Sequence, residues 1–215
     1  MTDESVVAIA LRTLLVSGAA LALAVAIGVP LGLALGRRRF PGRRLLVATV
    51  NAGMGLPPVV VGLVVALLLW RSGPLGDLGW MYTRQAMVLA QLVIALPLVV
   101  GITLAAVGAL APEFHLQVRA LGARGVRAAW ILVRETRRGL LAAVIAALGG
   151  ILSEVGAVTM VGGNLEGETR VLSSGILMYT QMGRFGEALA LAAILLGLTF
   201  VLAASITVVQ QAERR

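Results

Sequence analysis

Along this chain the apolar residues come in five long runs, and the polar residues gather between them. The runs cover roughly Thr13–Leu35, Leu45–Trp70, Ala86–Leu110, Gly139–Val161 and Ala188–Val209. Each exceeds the ~20 residues that a helix needs to cross the hydrocarbon of a bilayer. The pattern predicts an all-α polytopic membrane protein with about five transmembrane helices, forming one domain over residues 1–215. The second run holds Asn51 and the pair Pro57-Pro58, and the third holds Gln91 and Pro97. Proline inside a span bends it and frees carbonyls that neighbouring helices must satisfy. No internal repeat divides the runs into two equal inverted halves.

The segment Ala111–Arg138, between the third and fourth runs, follows a different pattern. Pro112 suits a first helical position, and Glu113 complements the positive end of the helix dipole. Phe114, Val118 and Leu121 recur at i, i+4 and i+7, giving a narrow apolar stripe with Gln117, Arg119 and Arg124 off it. Gly122 stands where this short helix should stop, because a left-handed cap residue is usually glycine. A second amphipathic stretch, Val126–Val133, leads back to the apolar runs. Such a helix suits docking of a soluble partner, or it lies on lipid headgroups with its Arg paired to anionic lipid. Spacing alone leaves both open.

Composition agrees with a bilayer as solvent. The chain is 59% hydrophobic and 13% charged with a mean hydropathy of +0.97, against about 25% charged residues in soluble domains. Its 26 Gly suit close packing between membrane helices. With no Cys there is neither a disulfide framework nor a thiolate metal site.

The net charge is +8, and all 18 basic residues are Arg. Their placement explains the basicity without a nucleic-acid partner. Gly36–Arg44 carries five, Ala111–Arg138 carries six and the C-terminal tail two, so thirteen lie on one side of the expected membrane. The other side holds Arg12, Arg71, Arg84, Arg170 and Arg184, mixed with Asp3, Glu4, Asp77, Glu166, Glu168 and Glu187. By the positive-inside rule the N-terminus is outside and the C-terminus cytoplasmic. An odd number of spans agrees. The acidic head of MTDESVVAIALRTLL and its long apolar continuation predict a retained first span rather than a signal peptide.

One carboxylate falls inside a run. Glu154 sits in LSEVGAVTMVGGN, Leu152–Asn164, where a charge at the bilayer centre costs at least about 2.5–3.5 kcal/mol. On a continuous helix Ala143, Ala147, Gly150, Glu154, Ala157 and Val161 share one face at spacings of three and four. Small residues on that face allow close approach of another backbone, so Glu154 is expected to meet protein or water rather than lipid. No second intramembrane acid or His supplies a proton relay. A structural or gating role remains, with the carboxyl either neutral and hydrogen-bonded to a neighbouring helix or ionised and paired with an Arg. Gly162-Gly163-Asn164 reads as a helix cap and turn, or as an anion contact through backbone N–H groups. Arg170 and Arg184 nearby either contact a partner or are solvated. The one His, His115, has no cluster around it and provides no catalytic set.

Several segments resemble a known family. The loop of ABC-importer permeases that contacts the ATPase carries a Glu-Ala-Ala triplet, three further residues and then Gly-Ala. Gly122-Ala123 match the Gly-Ala, while Leu116, Gln117 and Val118 replace the triplet and Glu135 stands where a Pro is expected. LPPVVVGLVVALLLWRSGPLG (Leu56–Gly76) and AMVLAQLVIALPLVVGIT (Ala86–Thr103) resemble the second and third spans of oxyanion-importer permeases. SEVGAVTMVGGN and TRVLSSGI (Thr169–Ile176) resemble the same group, and their wording is most similar to the tungstate permeases.

The resemblance implies a permease subunit and not an enzyme, in the cell (inner) membrane of a prokaryote. Its substrate would be tungstate, with molybdate or sulfate as the alternative; outside this class the alternative is a secondary transporter. It implies a homodimer, one cytoplasmic ABC ATPase beneath each subunit and an extracytoplasmic oxyanion-binding protein. ATP and Mg would be bound by the ATPase, since no GxxxxGK[ST] motif is present here and no cofactor is expected on this chain. Glu113, Phe114, Val118, Arg119, Gly122, Ala123, Arg124 and Arg127 become the ATPase-coupling residues. Phe114 and Val118 would enter a groove on the ATPase, with Arg at the rim. Pro57, Pro58, Gly150, Glu154, Ala157 and Asn164 become pathway or gate residues. A dianionic substrate would be repelled by an ionised Glu154, which favours gating over binding.

Overall fold

The computed structural model describes residues 5–37 and 40–212, and every regular element among them is helical. Asp3, Glu4, Arg38, Arg39, Arg214, Arg215 and the side chains of Pro112, His115 and Arg119 lie outside what is described. Three helices are long and apolar enough to cross a membrane alone: α1 (Val6–Arg37), α4 (Arg84–Gly108) and α10 (Phe185–Ala212). α1 begins seven residues before the expected Thr13, because Val6–Leu11 continues its apolar pattern. α4 continues through Pro97.

The other two expected spans are broken. α2 (Arg43–Met54) and α3 (Pro58–Leu69) meet at 105°, and α7 (Arg137–Leu152) and α8 (Gly156–Gly162) meet at 59°. The chain therefore has three spanning helices, or five if each bent pair is counted as one span. The first break follows from the backbone. Gly55 ends α2 with its N–H on the Ala52 carbonyl. Pro57 is extended at φ −62° and ψ 122°, and the residue before a proline is driven out of the helical region.

The second break falls on the helix that hydropathy reads as continuous, and its cause lies in side chains. Ser153 Oγ donates back to the carbonyls of Gly149 and Gly150 at 2.9 and 3.1 Å. Glu154 Oε1 accepts from the Ala157 N–H at 2.7 Å. Both bonds offer the backbone an alternative to the helical ladder. α5 (Pro112–Ala120) and α6 (Gly125–Glu135) follow α4, and α9 (Leu172–Gln181) precedes α10.

The helices pack where side chains are smallest. Gly28, Gly32 and Gly36 of α1 lie opposite Val99, Thr103 and Val107 of α4. A Cβ on Gly32 would stand 2.6 Å from Thr103 Cβ and 2.8 Å from the Val100 carbonyl oxygen. That seam is backbone against side chain, the closest approach two helices make. α3 crosses α8 in the same way, with Gly62 against Ala157 Cα and Gly156 against Val59. A core of Val61, Val65, Met87, Val158 and Val161 fills the space between α3, α4 and α8. Much of the remaining apolar surface faces outward, on α10 above all, as expected for a protein whose solvent is lipid.

Candidate gate and docking surface

The two helix breaks face each other. Gly53–Pro58 from one and Gly150, Ser153 and Glu154 from the other line a recess of about 380 Å³, closed on one side by Ile94 and Leu98 of α4. Pro57, Pro58, Gly150 and Glu154 are thus brought together. Ala157 and Asn164 do not line the recess: Ala157 is buried against Gly62, and Asn164 belongs to the turn after α8. The expected face running from Ala143 to Val161 is divided by the bend. Gly150 also makes no close backbone contact, since a Cβ there would meet only Leu98 at 3.6 Å.

Glu154 is 7% exposed. Its carboxylate neither reaches a neighbouring helix nor pairs with an Arg among the described residues; it caps the first turn of α8 through Ala157 N–H. A carboxylate at a helix start meets the positive end of the dipole and accepts a bond that the helix cannot make internally. Its backbone carbonyl accepts from Ser173 Oγ at 2.8 Å, tying the break to α9. Gln91 of α4 donates to the Ile151 carbonyl at 3.1 Å, which also accepts from the Glu154 N–H at 3.4 Å at the bend.

Beyond α8, Gly162-Gly163-Asn164 form a cap and turn. Gly163 has φ 72°, and Asn164 is left-handed at φ 52° with its Oδ1 accepting from Ser174 Oγ at 2.7 Å. The Gly163 N–H bonds Thr159 O, and the Leu165 N–H bonds Thr169 Oγ1, so these donors are used within the turn. Arg12 is buried. It donates to the carbonyls of Arg170 at 2.7 Å and Gly167 at 2.9 Å. Thr13 Oγ1 accepts from the Leu172 N–H at 2.9 Å. The first turns of α1 therefore clamp the loop before α9. Arg170 is buried too, with Glu166 at 3.5 Å, and Arg184 pairs with Glu187 and lies over the Tyr179 ring. Arg170 is thus held inside the protein, whereas the Arg184 pair lies at the surface.

The α5–α6 segment also differs from expectation. Val118 is 8% exposed and packs with Phe114 on Ala123, Ala128 and Ile131. Phe114 and Val118 of the expected stripe thus pack on α6, while Leu121 stays 83% exposed. Outward from the segment point Glu113, Gln117, Arg124 and Arg127, with Leu116, Leu121, Val126 and Trp130. Gly122, between the two helices, has φ 75° and open space where a Cβ would stand. Only its backbone conformation calls for glycine. Phe114, Arg134, Glu135, Arg137 and Arg138 border a further recess of about 460 Å³.

Comparison with known proteins accords with this architecture. The family described as "Binding-protein-dependent transport system inner membrane component" matches residues 28–215. A protein of Haloferax volcanii named "Probable anion ABC transporter permease protein" is 42% identical, covering 89% of this chain and 85% of its own. "Tungstate uptake system permease protein TupB" of Peptoclostridium acidaminophilum is 36% identical over 97% of this chain and 92% of its own. "Sulfate transport system permease protein CysT" of Escherichia coli is 30% identical over 98% of this chain and 78% of its own. A chain in a structure titled "Inward facing conformations of the MetNI methionine ABC transporter" superposes with a TM-score of 0.64. It covers 94% of this chain and 90% of that one at 20% identity, a likeness of fold alone. The chain belongs to the family of binding-protein-dependent transport system inner membrane components, and is itself a multi-pass ABC-importer permease with no catalytic role of its own.

Proposed function

We propose that this chain forms half of a paired pathway importing a tetrahedral oxyanion, with tungstate as the substrate. One observation carries the pathway reading: two spans break at the same recess, and the only carboxylate inside them is held there as a helix cap. A bent span meets its neighbour through a few residues, which suits a constriction that opens by small movements at two hinges. A carboxylate at its edge disfavours prolonged binding of a dianion, so the anion passes without being held. Tungstate is supported by relatives of Peptoclostridium acidaminophilum and Campylobacter jejuni named as tungstate uptake permeases, 36% and 33% identical. Sulfate is the second reading, favoured by the CysT likeness.

The Arg-rich segments 36–44 and 111–138 put the N-terminus outside and the α5–α6 segment in the cytoplasm. There the segment docks an ABC ATPase. The contact falls to the exposed side of α5, through Glu113 and Gln117, and to Leu121 in the turn after it, with Arg124 and Arg127 at the rim. Gly122-Ala123 set the angle between the two helices.

The test is ATP hydrolysis in proteoliposomes holding this chain, its ATPase and its extracytoplasmic binding protein. Tungstate is expected to stimulate hydrolysis at lower concentration than molybdate, and sulfate to have no effect. Stimulation by sulfate at the lowest concentration would overturn tungstate and leave oxyanion import standing. No stimulation by any of the three would overturn the oxyanion reading.

A further inference from the structure

Between α1 and α6 runs a groove of about 320 Å³ to which the transport reading gives no role. One wall is Pro30, Ala34 and Arg37 of α1, and the other is Val126, Trp130 and Val133 of α6. Each triplet is a helical row at i, i+4 and i+7, so each helix presents one strip to the gap. Among the described residues Arg37 is the one charge that lines it. The α1 wall adjoins the exposed apolar row Leu23, Ile27 and Leu31 on the same helix. The groove therefore opens onto the surroundings that bathe the body of the span. α6 buries Ala128 and Leu132 on its other side, and leaves Val126 86% and Trp130 66% exposed. A tryptophan and an arginine at the basic end of a span are groups that settle at the headgroup level of a bilayer.

We propose that this groove binds an anionic phospholipid of the surrounding membrane. Its phosphate sits on Arg37, and an acyl chain lies between the Pro30–Ala34 strip and the Val126–Trp130 strip. Continuity with the exposed apolar row of α1 favours lipid over a soluble partner, which could not follow that row into the hydrocarbon. Charge favours acidic lipid, because one Arg near the surface is worth about a fivefold preference. The inference depends only on the chain spanning a membrane, and not on which anion it carries.

The experiment uses the full chain in nanodiscs, with Trp70→Phe and Trp80→Phe leaving Trp130 as the only tryptophan. Dibrominated phosphatidylglycerol and dibrominated phosphatidylcholine serve as quenchers. Phosphatidylglycerol is expected to reach half-maximal quenching at about a fivefold lower mole fraction. Arg37→Gln should bring the two lipids together, and Ala34→Phe, which narrows the groove, should weaken quenching by both. Native mass spectrometry of the chain with all three tryptophans gives an independent reading: retained phosphatidylglycerol, released in Arg37→Gln. Equal quenching by both lipids overturns the choice of an acidic headgroup, and no quenching by either overturns lipid binding. Abolition of quenching when the ATPase docks assigns the surface to that protein instead.

Discussion

Arg12 shows how much a single side chain can hold in a protein with few polar contacts. It lies buried in α1 and supplies donors to the Arg170 and Gly167 carbonyls. Truncation leaves the buried Arg170 carbonyl without this donor, at about 1–3 kcal/mol, whereas the exposed Gly167 carbonyl keeps a bond from Arg84. Arg12→Ala is expected to lower the thermal midpoint in detergent and to open residues 165–171 to protease. Arg12→Lys, which keeps the charge and loses the two-pronged geometry, should recover part of the loss. An unchanged midpoint and cleavage pattern in Arg12→Ala would count against the clamp. The count of charges on each side places Arg12 only on the outer side of the membrane. Its partners lie 155 and 158 residues away, and no local pattern can announce them.

At the level of elements, the spacing of small residues was legible and the bends were only partly so. GVPLGLALG, Gly28–Gly36, repeats glycine every fourth residue, which puts all three on one face of a helix. That signal in the sequence marks the seam with α4, and counting spans alone passes over it. Gly32→Ala drives a methyl into Thr103 and the Val100 carbonyl, an overpacking of about 1–3 kcal/mol. Gly18→Ala meets nothing within 4 Å and should gain up to about 1 kcal/mol of helix propensity. Thermal unfolding of the two variants is expected to move in opposite directions, and parallel shifts would refute the seam. The bend at Gly55–Pro57 has a visible cause in its prolines, though not a visible angle. The one at Ser153–Val155 has no proline, and its two polar residues do not by themselves announce a bend; the bonds of Ser153 and Glu154 accompany it. The stripe of Phe114 and Val118 is readable as amphipathic, but its target is not. An apolar row fits a partner protein or the next helix equally well, and here α6 takes it.

At the scale of the molecule, family membership removes the secondary-transporter alternative and leaves the substrate as the question for measurement. Glu154 belongs at this scale because, on the proposed pathway, it would join local stability to passage of the anion. Glu154→Gln keeps an oxygen acceptor for the Ala157 N–H and removes the negative charge. It should hold stability within about 1 kcal/mol of the parent, whereas Glu154→Ala loses the cap, at about 0.5–2 kcal/mol. If the carboxylate keeps the recess from retaining a dianion, Glu154→Gln should bind tungstate in the purified permease more tightly and release it more slowly. Radiolabelled tungstate exchange measures both, and identical retention in Glu154→Gln and the parent would remove Glu154 from the pathway.

If the recess is the gate, the glycine seam between α1 and α4 would also divide the machine into fixed and moving parts. Helices in contact at the backbone cannot slide smoothly past one another, because each knob must clear a full turn, about 5.4 Å, before it meets another hole. On the proposed pathway α1 and α4 would then serve as a stator. The rotor would be what hinges at Gly55–Pro57 and Ser153–Val155, with α3 and α8 carried together by their own glycine contact, and the stroke would be shared between two joints on opposite walls of the same recess.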